Sequence, residues 1–216
     1  MTADIIPFNP LDRKNLGASV AEALLSQAVH PLGALPDFNG AGIYALYYTG
    51  NLQPYAELAK RNKDNKFAAP IYVGKAIPEG ARKGGGVGAG NNGKHLMKRL
   101  KEHAKSINQA ENLDIADFYC RFLVVEDIWI PLGESLLIAR YAPVWNSIGE
   151  GFGSHTPGKG RFEGMKPRWD TLHPGRPWAV KCKERPETAE DVARDVENHL
   201  RTMVFPASDR FIGTDT

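Results

Sequence analysis

Cysteine is nearly missing: Cys120 and Cys182 are the only two. Two thiols cannot build a disulfide framework or fill a four-cysteine zinc site, so the expected setting is the reducing interior of a cell. Long apolar runs are missing as well. Nothing approaches the roughly 18 consecutive apolar residues that read as a membrane span, and the start, MTADIIP, lacks the basic residues and apolar stretch of a signal peptide. Charge of one sign is not in excess either; the net value is +2. What is left is a soluble cytoplasmic protein with no membrane partner, and 216 residues suffice to bury a substantial core.

The small net charge hides an uneven distribution. Residues 75–105 hold eight Lys/Arg against two acids, and residues 159–185 hold eight against three. Residues 187–197 are acidic in compensation, so the basic charge belongs to two stripes.

Two short aromatic runs organise the chain, GIYALYY from Gly42 and YVG from Tyr72. Aromatic and β-branched residues bounded by turn chemistry read as strands. In the first, a period of two puts Tyr44, Leu46 and Tyr48 on one face and Ile43, Ala45 and Tyr47 on the other. Both faces carry bulk, so this strand is central. Before it, residues 15–27 read as a helix with Leu16, Val20, Ala23, Leu24 and Gln27 on its packed side, followed by a connector with Pro31, Gly33, Pro36 and Gly40. Between the two strands lies an excursion, residues 50–69, with one short helix over 55–60.

Residues 81–94, ARKGGGVGAGNNGK, are too rich in glycine to be ordered by their own side chains. They contain a formal GxGxxG, but not directly after a strand and without βαβ patterning, so a basic loop that orders on a phosphate backbone fits better than a dinucleotide site. A helix over 94–107 packs Leu96, Met97, Leu100, Ala104 and Ile107 inward, and Arg99 and His103, four apart, share one side beside that stripe. Residues 118–125 form a third strand and 132–141 a helix. Glu134 rides that helix's apolar face, where an unpaired carboxylate is costly and must be protonated, paired, hydrogen-bonded or metal-bound, and it reads equally well as a helix N-terminal acid that favours the dipole. Residues 147–179 show almost no periodicity yet embed Phe152, Trp169 and Trp178, the mark of an ordered functional loop. A terminal amphipathic helix spans 188–203.

Taken singly, Tyr44 and Tyr72 would pass for core aromatics and Arg99 and His103 for solvated helix residues. Taken together and in this order, GIY at 42–44, YVG at 72–74, Arg99 with His103, Glu134, and Asn146 in PVWN resemble the GIY-YIG nuclease superfamily. The tail WNSIGEGFGSHTPGKGR and WDTLHPGRPWA is similar to that of its type II restriction endonuclease branch. Two departures stand out: YVG replaces YIG, and 27 residues separate Tyr44 from Tyr72, which makes 50–69 an insertion of the kind that branch carries.

The resemblance implies an α+β fold, a small central antiparallel three-stranded β-sheet flanked by helices, with a loop-rich C-terminal extension. It implies one nuclease domain over 1–216: an N-terminal helix and connector (1–40), a catalytic core (41–146) and DNA-contacting loops with a final helix (147–216). The implied activity is site-specific hydrolysis of double-stranded DNA in a bacterial cytoplasm. By the same resemblance Glu134 is the sole protein ligand of one divalent metal, Mg²⁺ with Mn²⁺ as a substitute. Arg99 binds the scissile phosphate, Tyr72 positions water or phosphate, and Asn146 orients Tyr44 or the phosphate. Tyr44 activates the water with His103 as partner, and which of the two takes the proton stays open. No helicase or zinc-finger module follows, which sets the chain apart from repair and homing relatives.

DNA binding would fall to Lys75, Arg82, Lys83, Lys94, Arg161, Lys166, Arg168 and Arg176. Of these, Arg82, Lys83, Arg161, Lys166, Arg168 and Arg176 are the candidates for base readout, since Arg and Lys contacts to guanine suit a GC-rich site although most such residues touch phosphate. The resemblance implies the palindrome CCGCGG, hence a homodimer with one active site per strand, and a cognate DNA methyltransferase in the host. The competing readings are a catalytically inactive DNA-binding relative, a structure-selective repair nuclease, and a nucleotide-binding enzyme built on the glycine loop.

Overall fold

The computed structural model describes residues 9, 11–78, 93–149, 151–153 and 163–206. Arg82, Lys83 and Arg161, and nearly all of the glycine-rich stretch, lie outside them.

The framework is an antiparallel sheet ordered β1-β4-β2-β3. Its strands are β1 (His30–Pro31), β2 (Gly42–Tyr48), β3 (Tyr72–Ala76) and β4 (Phe118–Val124). Four strands replace the expected three, because the Pro-rich connector lends two residues that pair His30 with Cys120 and Pro31 with Tyr119. A proline is tolerated there because an edge position does not need its missing N–H. All pairings within this sheet are antiparallel, so among the described strands there is no βαβ unit of the kind a dinucleotide fingerprint requires.

Every residue of β2 is buried, and its two faces feed two cores. Tyr44, Leu46 and Tyr48 join Leu96, Leu100 and Ile107 of α3 (His95–Gln109) and Val192, Val196 and Leu200 of α7 (Ala189–Thr202). Ile43, Ala45 and Tyr47 join Ala21 and Leu24 of α1 (Arg13–Leu25) and Ile130, Leu137 and Tyr141 of α4 (Ile130–Tyr141). The period-two reading of the strand therefore holds on both sides.

The inward side of α1 overlaps the expected one only in part, sharing the fully buried Leu24 and the half-buried Val20 that packs on the core. Gly17, Ala18, Ala21, Leu24 and Leu25 are buried, whereas Gln27 is exposed and Leu16, Val20 and Ala23 are only half-buried. The cause is a close approach to α4: a Cβ on Gly17 would lie 2.8 Å from Leu132 Cγ. Small residues win this face because the neighbouring helix leaves no room for larger ones.

The insertion carries α2 (Ala56–Asn62). Asn62 closes it, donating from Nδ2 to the carbonyls of Tyr48 (3.0 Å) and Ala69 (2.8 Å) and accepting from the Ala69 N–H. The segment expected to lack periodicity holds two short helices, α5 (Val144–Ser147), which enters it, and α6 (Arg168–Leu172). α7 opens with a capping box between Thr188 and Asp191. Among the described residues no helix is long and apolar enough to cross a membrane.

Candidate active site

The site forms where β2, β3 and α3 meet. Tyr44 projects from the middle of β2 toward α3, and its Oη lies 2.6 Å from Nε2 of His103. Nε of Arg99, one turn earlier on α3, donates to the same oxygen at 3.3 Å. Tyr72, on the neighbouring strand, has its ring 6.2 Å from that of Tyr44 and 5.4 Å from His103. The motif glycine makes this possible: a Cβ on Gly74 would stand 2.4 Å from Tyr44 Oη and 2.6 Å from Cζ. Only a residue without a side chain lets the phenol cross β3 at this point.

Tyr44 is fully buried and His103 nearly so. Burial pushes the Tyr44 pKa well above the usual phenol value, with Tyr72 acting in the same direction and the Arg99 guanidinium opposing it. Burial raises Tyr72 as well, again against Arg99. The charge of Glu134 adds to the rise at both phenols, which puts its carboxylate within electrostatic reach of the pair. Tyr44 is therefore a protonated phenol that stays protonated unless a proton acceptor or added positive charge intervenes.

Glu134, in α4, is ion-paired to Lys75 of β3, and its side chain is 16% exposed. The cost of a carboxylate beside the apolar face is thus met by pairing. Among the described residues no three His, Cys, Asp or Glu side chains converge. A cation here would have Glu134 as its protein ligand, and a lone hard oxygen donor with waters suits Mg²⁺.

Asn146 does not reach Tyr44. Its Oδ1 accepts from Val73 N and its Nδ2 donates to Val73 O, both at 2.8 Å, so its amide locks the backbone between Tyr72 and Gly74. Phe152 was not among the expected site residues, yet its ring lies 5.7 Å from His103 and 6.0 Å from Tyr72. The loop carrying it is held by Ser106, whose Oγ donates to Gly153 O at 3.2 Å. An aromatic between glycines in a polar segment was the available signal.

Among the basic candidates for DNA contact that are described, Arg176 departs from expectation. Arg176 is only 2% exposed. Its Nε donates to Asp170 Oδ1 at 2.6 Å, its Nη1 contacts Ser106 Oγ at 3.2 Å, and its guanidinium carbon lies 4.8 Å from the Trp169 ring and 4.6 Å from the Trp178 ring. It is a structural strut, because a guanidinium buried among indoles and paired with a buried carboxylate is not presented to DNA. Arg168 joins α6 to Asp195 of α7, Lys166 pairs with Glu184 at 2.7 Å, and Lys94 pairs with Asp37 at 2.5 and 2.8 Å.

A second tyrosine–histidine contact provides a contrast. Tyr55 Oη lies 2.6 Å from Nε2 of His173 and accepts from Trp145 Nε1 at 2.8 Å. Both residues are fully buried, and burial raises the Tyr55 pKa against the Trp145 hydrogen bond. The two pairs differ in their surroundings: Arg99 donates to the Tyr44 oxygen, whereas Trp145 donates to that of Tyr55.

Residues 36–200, more than half of the chain, match a family model described as the Eco29kI GIY-YIG domain. No curated protein matches.

Proposed function

The chain belongs to the Eco29kI GIY-YIG family of restriction endonucleases, and from that premise we propose that it is a type II enzyme cutting both strands of a GC-rich palindrome, CCGCGG. It acts as a homodimer, with Mg²⁺ or Mn²⁺ on Glu134 and with 1–216 forming one nuclease domain. The observation that carries the mechanism is the single phenolic oxygen of Tyr44 shared between His103 and Arg99.

A phenol has one proton to donate and two lone pairs. With its proton directed at His103 Nε2 and one lone pair occupied by Arg99, Tyr44 would offer its second lone pair, on which Tyr72 also draws, to an attacking water that displaces Tyr72 from it. The water's proton passes to Tyr44 as the phenol's own proton passes to His103. This relay avoids a buried phenolate, which is what the raised pKa of Tyr44 demands. Arg99, which donates to Tyr44 through Nε and to Glu102 through Nη1, would turn the rest of its fork to the non-bridging phosphate oxygens, where charge develops. Tyr72 and Phe152 wall the site, and Asn146 holds the strand that carries Tyr72. When bound, the divalent cation supplies charge neutralisation at the phosphate and the leaving 3′-oxygen.

Glu134→Ala tests the assignment. It is expected to abolish cutting while a duplex carrying CCGCGG is still bound in a gel-shift assay. Loss of both would mean that Glu134 is structural.

A further inference from the structure

Lys75 lies on β3, the edge strand, in register with Ile43 of β2. Val73, two residues earlier on the same strand, packs with Ile43 into the core beneath α1 and α4. The period of two sends Lys75 to that side of the sheet, where Nζ bonds Oε2 of Glu134. The lysine side chain is 34% exposed and the carboxylate 16%. The ammonium therefore sits on the oxygen that the proposed function assigns to a metal, with part of its stem still open to solvent.

We propose that Lys75 is a DNA-released counter-ion for Glu134. In the absence of DNA it neutralises the carboxylate and competes with a divalent cation for its oxygens. An incoming phosphate is a second anion for the same ammonium, and transfer of Lys75 to it frees Glu134 for the metal. The inference rests on reading Glu134 as the metal ligand.

Three features support the exchange. An ammonium and a divalent cation on one carboxylate repel each other, so occupancy by one disfavours the other. Lysine reaches through a flexible four-carbon stem with three equivalent donors, and can change acceptor without backbone movement. The backbone has little freedom to follow, because the Asn146 amide holds both Val73 N and Val73 O. Metal capture thereby becomes contingent on DNA, and by linkage the metal strengthens DNA binding by the same factor.

The test is Mn²⁺ binding to the full chain without DNA, followed by electron paramagnetic resonance of the free ion. Lys75→Met is expected to bind Mn²⁺ about tenfold or more tightly than the unmodified protein, and the gain is expected to vanish in Lys75→Met/Glu134→Gln. Lys75→Gln, which keeps a hydrogen-bond donor to Glu134 without the charge, should reproduce the gain and serves if the methionine variant fails to fold. An unchanged or weakened Mn²⁺ affinity in the folded variants overturns the counter-ion role. If that occurs while Glu134→Gln still abolishes DNA cleavage, the metal-ligand reading stands alone. If Glu134→Gln neither weakens Mn²⁺ binding nor slows cleavage, the underlying reading fails as well.

Discussion

Oη of Tyr44 stands 2.6 Å from Nε2 of His103 although the two residues are 59 positions apart in the chain. The contact joins the central strand to α3 and sets a ring nitrogen beside the buried phenol, the proton acceptor of the proposed relay. Tyr44→Phe keeps the ring in the core and deletes the relay. Cleavage under single-turnover conditions is expected to fall roughly a thousandfold, within the range usual for losing a general base, while affinity for a CCGCGG duplex holds. A cleavage rate within a few-fold of the unmodified protein would remove Tyr44 from the chemistry.

Gly74→Ala acts on the same oxygen from the other side. The added Cβ would meet Tyr44 Oη at 2.4 Å, and the phenol has to move away from His103 or Arg99. Displacements of about 1 Å at reacting groups cost on the order of a hundredfold in rate. Cleavage kinetics and urea unfolding together separate this from misfolding: the rate should fall far more than the stability does.

Arg176 bears on stability rather than recognition. Removing one partner of a buried ion pair strands the other, and Arg176→Ala is expected to cost ~3–5 kcal/mol in urea unfolding. Arg176→Met with Asp170→Leu should lose less than that, since no charge is left buried. A variant of normal stability with relaxed sequence preference would restore Arg176 to the base-reading role.

The second histidine predicts acid lability. Burial, with the charge of Arg176 adding to it, pushes the His173 pKa down to about 3, from ~6.5 in the unfolded chain. Below pH ~6.5 the unfolded chain binds a proton that the folded chain refuses until about pH 3. The stability contributed by the neutral ring is therefore complete above pH ~6.5 and falls by ~1.4 kcal/mol per pH unit as the pH drops through that window. Urea unfolding at several pH values should show this slope, and His173→Gln should flatten it by about one proton's worth. Parallel pH profiles for the two proteins would contradict the assignment.

These residues also show what was legible in the sequence. The two faces of β2 and the inward stripe of α3 were readable because periodicity is local and both elements are long enough to display it. β1 was not, because two residues become a strand only by register with β4. The inward side of α1 was misread in part because hydrophobicity favours large residues, whereas the crossing with α4 selects Gly17, Ala18 and Ala21. At the site, residue types suggested roles but not partners. Whether Arg176 meets DNA or Asp170, whether Asn146 meets a phenol or a peptide, and whether Lys75 meets a phosphate or Glu134 depend on contacts between distant segments that no spacing encodes.

The measurement that tests the account most directly is digestion of a plasmid carrying several GC-rich palindromes, with Mg²⁺ and with EDTA, followed by sequencing of the ends. The account predicts discrete fragments in Mg²⁺, all sharing the CCGCGG site, and intact plasmid in EDTA. Retardation of the plasmid on a gel without cleavage, with CCGCGG present, would contradict it and leave a DNA-binding protein without catalysis.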